Sequence, residues 1–290
     1  MSKATRNRTR NARERIAAQQ AAARKAEQRR RLLIVGGSVG LVIVLVVALV
    51  LFKVLQKPTT QLGKGDLPVA VQHQITGVPA TTLAQVGTGP LQGSLPIKGI
   101  SAKPLTSNGK PEMLYIGATF CPYCAATRWG MAVALSRFGT FGRLKGIHSS
   151  ATDVYPNTPT LSFQNQQYSS KYLTFTPVEA EGEHHQQLQK LSKSQQALWV
   201  KYDTTNGSQG FPFIDFGNKV VVTGPLFSPQ VLHGLTWAQV ASMLHNPSNP
   251  RAAYLNASAN YFTAAICKMT NNQPGSVCKA APIPTIESKL

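Results

Sequence analysis

Cys121-Pro122-Tyr123-Cys124 constrains this chain more than any other stretch. An apolar run, Met113-Leu114-Tyr115-Ile116-Gly117, precedes it and reads as a buried strand. A long apolar segment, Ala125 to Phe138, follows and reads as a well-buried helix stopped by Gly139. Two cysteines separated by two residues at a strand–helix junction form the pattern of a thiol–disulfide redox site. Backbone N–H groups at a helix N-terminus are unpaired and, with the helix dipole, stabilise negative charge. A cysteine there becomes a thiolate more easily. Cys121 falls at the cap and Cys124 one turn inside, so Cys121 is expected to attack and Cys124 to resolve the mixed disulfide. Pro122 suits the first helical turn, where its missing N–H costs nothing. A structural disulfide and half of a zinc site are the alternatives; zinc normally takes four close-set ligands, and no second CxxC or HxxxH occurs.

The N-terminal region bears on location. Residues 32–52 carry no charge over 21 positions, long enough to span a bilayer as a helix. Residues 1–31 hold eleven Lys or Arg against Glu14 and Glu27, so this tail is expected to stay cytoplasmic and the rest to lie outside. A cleaved signal peptide is the rival reading, but its apolar core is usually shorter and ends at small residues. The tail accounts for nine of the nineteen net positive charges, and the remainder forms no dense cluster. Setting topology is therefore its expected role, and nucleic acid is not an expected partner.

All four cysteines follow the apolar run, where disulfides persist. Ten residues separate Cys267 from Cys278, among them Asn271, Asn272, Pro274 and Gly275, a turn-forming set. They read as a structural disulfide contributing roughly 2–3 kcal/mol, or alternatively as a second redox couple relaying electrons to the first.

Residues 53–105, rich in Pro, Gly, Thr and Gln, read as a linker that becomes ordered towards its end, and 106–290 as the folded domain. Within it Leu144–Ser150 reads as a second strand, with Thr160–Phe163 and Lys171–Val178 as a short strand pair. Glu183–Tyr202 reads as helical, giving an insertion over about 150–205. Phe213–Phe216, Gly217-Asn218 and Val220–Val222 spell strand, turn, strand. A helix is expected from Ser228-Pro229 to about Leu244, and another over Ala252–Met269 within a helical extension, about 248–290.

This order of elements resembles the thioredoxin-like superfamily over roughly Ile97 to His245. The segments YIGATFCPYCAATRWGMAVALSRFG, HSSATDVYPNTPTLSF and SKYLTFTPVE are most similar to a family of uncharacterised, membrane-anchored thioredoxin-like proteins known only as a domain of unknown function. The wider analogy is to exported DsbA- and DsbG-like thiol oxidoreductases. The resemblance implies an α/β fold: a central mixed sheet flanked by helices, a helical insertion, and one transmembrane helix in front. It also implies a cis-proline facing the cysteines. Pro212, after Phe211 and before the hairpin, matches that place better than its rival Pro159. Those relatives carry a buried acid six residues before the first cysteine; Tyr115 stands there instead.

The expectation is an enzyme: a single-pass membrane-tethered oxidoreductase exchanging disulfides with exported proteins, through catalytic Cys121 and Cys124. Pro122, Tyr123, Phe211 and Pro212 would shape the substrate groove. A non-catalytic binding module and an electron relay to a membrane redox partner are the alternatives. His184-His185 lies in a polar stretch, no Ser-His-Asp order or glycine-rich phosphate loop occurs, and neither metal nor organic cofactor is expected.

Overall fold

The computed structural model describes residues 46–47, 64–91, 93–203 and 209–290. Contacts divide the chain into Met1–Gln61 and Leu62–Leu290. The expected cytoplasmic tail, and the expected membrane span apart from Val46 and Val47, lie outside the described residues; those two are helical and exposed. Among the described residues no helix is long and apolar enough to cross a membrane.

The second unit opens with β1 (Gly65–Asp66) and two short helices, α1 (Val69–Thr76) and α2 (Ala80–Val86), followed by β2 (Ile97–Gly99) and β3 (Thr106–Ser107). The described residues between 64 and 105 thus carry two helices and two strands within the stretch that reads as a linker. Leu67, Val71, Ile75, Leu83 and Leu91 are buried in the main core, which supplies the stabilisation helices this short lack on their own.

β4 (Lys110–Ala118) is central and leads into α3 (Pro122–Ser136). After β5 (Gly139–Phe141), β6 (Lys145–His148), β7 (Pro159–Ser162) and β8 (Tyr168–Ser170) comes β9 (Thr174–Glu181), which pairs in parallel with β4. Then follow α4 (Lys193–Tyr202), β10 (Phe213–Phe216) and β11 (Val220–Val222). The main sheet runs β2-β11-β10-β4, with β9 and β3 both on the free side of β4. β10 is antiparallel to β4, setting Phe213 opposite Ile116 and Phe216 opposite Met113. Gly217, Asn218 and Lys219 form the hairpin loop, the first two in the left-handed region with φ of 64° and 57°, which glycine and asparagine adopt most readily.

Two corrections follow. The helix expected over Glu183–Tyr202 is shorter, Lys193–Tyr202, and the stretch about 150–205 that reads as an insertion includes β9, a strand of the main sheet. Thr160–Phe163 and Lys171–Val178 do not pair with each other; β7 joins β6, and β9 joins β4. Strand propensity marks a segment as extended but does not choose its partner, and a parallel partner across a helix is far away in sequence.

Past the hairpin, the helix expected from Ser228 to Leu244 is broken at Gly234 into a 3₁₀ turn, Pro229–Leu232, and α5 (Trp237–Met243). The last elements are α6 (Pro250–Met269), α7 (Gly275–Cys278) and α8 (Ile283–Glu287). α6 is not an appendage: Leu255, Phe262 and Ile266 join the main core, and Phe262 stacks on Phe216 at 6.1 Å. Gly130 lets α3 approach α6 closely, because a Cβ there would collide with the Ser258 hydroxyl.

The sheet buries both faces. Met113, Tyr115, Ile214, Phe216, Val220 and Val222 belong to the core shared with α3 and α6. Leu114, Ile116, Val178, Phe213 and Val221 pack on the other face with Trp199 of α4. Helices thus flank a mixed sheet, and the C-terminal end of β4 delivers the chain to the cysteines.

Candidate functional site

β4 ends at Ala118, and Thr119 and Phe120 carry the chain over to α3. This connection is fastened on both sides: Thr119 N–H donates to the Glu181 carbonyl at 2.8 Å, and Ser150 N–H to the Phe120 carbonyl at 2.8 Å. Cys121 is the N-cap of α3, with φ −73° and ψ 119°, and Pro122 takes the first helical position. The Cys124 backbone N–H donates to the Cys121 sulfur at 3.2 Å. A sulfur thus accepts one of the N–H groups left over at a helix start. Both cysteines are free thiols; Cys121 is 5% exposed and Cys124 0%.

Their electrostatics diverge. The Cys121 thiol is lowered, chiefly by a hydrogen bond from the Cys124 side chain; burial opposes this, while the Cys124 backbone N–H and the Arg128 charge assist. Burial pushes the Cys124 thiol well above the usual range, and its hydrogen bond to Cys121 adds to the rise. One sulfur is poised as a nucleophile and its neighbour is kept protonated.

The Phe211–Pro212 peptide bond is cis. Since β10 starts beside the end of β4, the bond lies next to the cysteines, and the Cys121 sulfur is 4.0 Å from the Phe211 carbonyl oxygen. Pro159, the rival, begins β7 instead; its carbonyl accepts the Trp129 indole N–H at 2.9 Å. Of the residues expected to shape a groove, Pro122 and Pro212 are buried, whereas Tyr123 and Phe211 are partly exposed. With Phe120 they rim Cys121. Phe120 packs on His185 with ring centres 3.9 Å apart, Phe211 stacks on Trp199 at 5.0 Å, and Tyr123 meets Tyr155 edge-on at 5.8 Å. A groove of about 770 Å³ opens beyond Phe211, floored by Leu191, Trp199 and Val200.

Beneath the cysteines lies a buried ion pair that sequence reading passed over. Arg128 donates from Nε and Nη2 to the two Glu179 carboxylate oxygens, at 2.9 and 2.6 Å, and from Nη2 to the Ala118 carbonyl at 2.7 Å. Both side chains are fully buried. Burial is the largest influence and works against the guanidinium charge, but Glu179, Tyr115 and Cys124 together raise Arg128 above its ordinary range. The Tyr115 ring centre lies 5.8 Å from this guanidinium; its hydroxyl is buried without a partner, and burial raises it well above the usual phenol range. The available signal was a single cation, Arg128, in an otherwise apolar helix.

Cys267 and Cys278 form a disulfide at the other end of the ladder, joining α6 to α7. Met269, two residues beyond Cys267, packs against Gly217, and the Gly217 N–H donates to the Glu112 carbonyl. The length of β4 from Met113 to Ala118, roughly 16 Å, lies between that end and the thiol pair. Among the described residues no three His, Cys, Asp or Glu side chains are grouped to hold a metal ion.

These features define a mixed α/β protein presenting a dithiol at a helix N-terminus. The chain belongs to the family described as Domain of unknown function (DUF929), whose model matches residues 97–268. No curated protein and no solved structure matches it.

Proposed function

We propose that the protein is a thioredoxin-like thiol–disulfide oxidoreductase, held at the membrane by residues 32–52 with its folded domain outside the cytoplasm, acting on exported proteins. The observation that carries this reading is the Cys121 sulfur accepting the Cys124 N–H at the start of α3, with a second free thiol one turn in. The strand order β9-β4-β10-β11, with β9 parallel and β10 antiparallel to β4 and a cis-proline entering β10, supports the fold assignment.

The exchange balances without a cofactor. The Cys121 thiolate attacks one sulfur of a client disulfide; that bond breaks, and the departing client sulfur leaves with the electron pair. Cys124 then loses its proton and attacks the Cys121 sulfur, the mixed disulfide breaks, and the second client sulfur departs. The client gains two electrons and two protons while Cys121 and Cys124 become a disulfide; the reverse sequence delivers a disulfide to a client. Tyr123 and Phe211 form the surface a client peptide meets, and Phe211 connects it to the groove above Trp199.

The test replaces Cys121 with Ser and follows insulin reduction or the refolding of a scrambled disulfide protein; parental activity in that variant rejects the reading. Protease added outside intact cells should digest the domain, and full protection would reject the proposed topology.

A second reading rests on the 5% exposure of Cys121: the dithiol belongs to a binding module that performs no exchange. Glutathione buffers separate the two. A pair that equilibrates with them in the folded protein is a redox couple, and one that reacts only on unfolding is not.

A further inference from the structure

We propose that Arg128 is a positioning residue of this site, the fixed positive charge that stabilises the Cys121 thiolate and eases the loss of the Cys124 proton in the resolving step. The inference rests on the redox reading above and adds a named electrostatic device to it.

The geometry begins with helical spacing. Cys121 caps α3, while Cys124 and Arg128 follow three and seven positions later on one face. Helical side chains lean toward the N-terminus, so a long side chain at 128 reaches back under the first turn. It does so here: Nη2 of Arg128 shares the Ala118 carbonyl with the Cys121 backbone N–H, which donates to it at 3.3 Å. Glu179 grips the other edge of the guanidinium through Nε and Nη2. That leaves Nη1, fully buried and without a partner, as an uncommitted donor. A buried unpaired donor on a charged group is costly, so its retention calls for an acceptor that exists in another state of the site. A thiolate is such an acceptor.

The other groups around the pair do not supply this charge. Tyr115 carries an unpartnered neutral hydroxyl, and Tyr123 sits at the rim beside Tyr155. Glu179 is committed to Arg128, and His185 faces Phe120 and Glu181 rather than sulfur. Arg128 is among the main influences lowering both sulfurs, whereas Glu179 is not. A guanidinium does not give up its proton, so Arg128 acts by charge and not as a base. In the resolving step the Cys124 proton goes to the departing client thiolate, the Cys124 thiolate forms the new S–S bond, and Arg128 is unchanged.

The experiment compares Glu179→Gln with the double variant Arg128→Met/Glu179→Gln, which avoids stranding one buried charge. Two readouts are followed: the pH profile of Cys121 alkylation by iodoacetamide, and the equilibrium of the pair with glutathione. The double variant should alkylate roughly tenfold more slowly near neutral pH and shift roughly tenfold toward the disulfide. Glu179→Gln, which leaves the Arg128 charge uncompensated, should move the alkylation midpoint the opposite way, to lower pH. Arg128→Lys, keeping the charge, should stay within about threefold of the parent. A natively folded double variant with both readouts unchanged overturns the role of Arg128 and leaves the redox reading intact. If the double variant does not fold, an unmoved midpoint in Glu179→Gln overturns it. A parental pair that never equilibrates with glutathione overturns the redox reading itself.

Discussion

The two ends of the β4–β10 ladder each carry a cysteine pair, and the ends differ in what surrounds the sulfur. At the C-terminal end of β4, Cys121 and Cys124 are free, a backbone N–H points at one sulfur, and a buried guanidinium lies below. At the opposite end, Cys267 and Cys278 are joined between two helices, both buried and both part of the main core. Burial is nearly the same at both, so burial does not separate a reactive sulfur from an inert one. The difference is in what meets the sulfur: one end gathers N–H donors and a cation around free thiols, and at the other the two sulfurs are bonded to each other.

The sharpest way to break this contrast is to exchange the roles by deletion. Cys121→Ser should lower disulfide exchange by roughly 100-fold or more, because the serine hydroxyl is a far weaker nucleophile at neutral pH. The double replacement Cys267→Ala/Cys278→Ala should leave exchange near the parental rate. It should instead lower unfolding free energy by about 2–3 kcal/mol, given the sequence separation of 11, measured by urea titration. Loss of exchange in that second variant would join the two ends functionally and defeat the comparison.

A smaller effect sharpens the contrast through a carboxylate. Asp215 lies near the disulfide end of β10, its Oδ1 accepting the Asn218 N–H at 2.6 Å and its Oδ2 buried without a partner. Burial raises it from 3.8 to about 6. A raised carboxyl stabilises the fold fully below its unfolded value and loses that contribution as pH rises through its folded value. Asp215→Asn should therefore stabilise the protein by about 1–2 kcal/mol at pH 8, with the gain vanishing near pH 4. Chemical denaturation at the two pH values measures it.

The smallest expected change is Tyr115→Phe. It removes a buried hydroxyl that has no partner, so stability should change by about 1 kcal/mol or less, and exchange should remain within about twofold. A large loss of exchange would move proton handling from the Arg128 charge to the Tyr115 phenol.

Legibility in the sequence followed the range of the interactions. The cysteine motif at its strand–helix junction, the hairpin at Gly217-Asn218 and the long helix ending at Met269 are local patterns, and each stands where the residues placed it. The parallel pairing of β9 with β4 was not legible, since nothing in Thr174–Glu181 names a partner about sixty residues earlier. Nor were α1 and α2: at eight and seven residues they are too short for a periodic pattern to declare them, and they hold as helices because Ile75 and Leu83 have a core to enter. The Arg128–Glu179 pair joins positions 51 apart and was hidden for the same reason, although a lone arginine in an apolar helix was its trace.

The family boundaries, 97–268, cut through this architecture. Asn260, fully buried on α6, donates its side-chain amide to the Leu83 and Gly87 carbonyls at 2.8 Å each, closing the end of α2. A fragment trimmed to those boundaries would strip away α2 and leave that amide facing an emptied hollow. The smallest autonomous piece of this protein is therefore larger than its family signature, and any shortened version meant for biochemistry should begin ahead of residue 64.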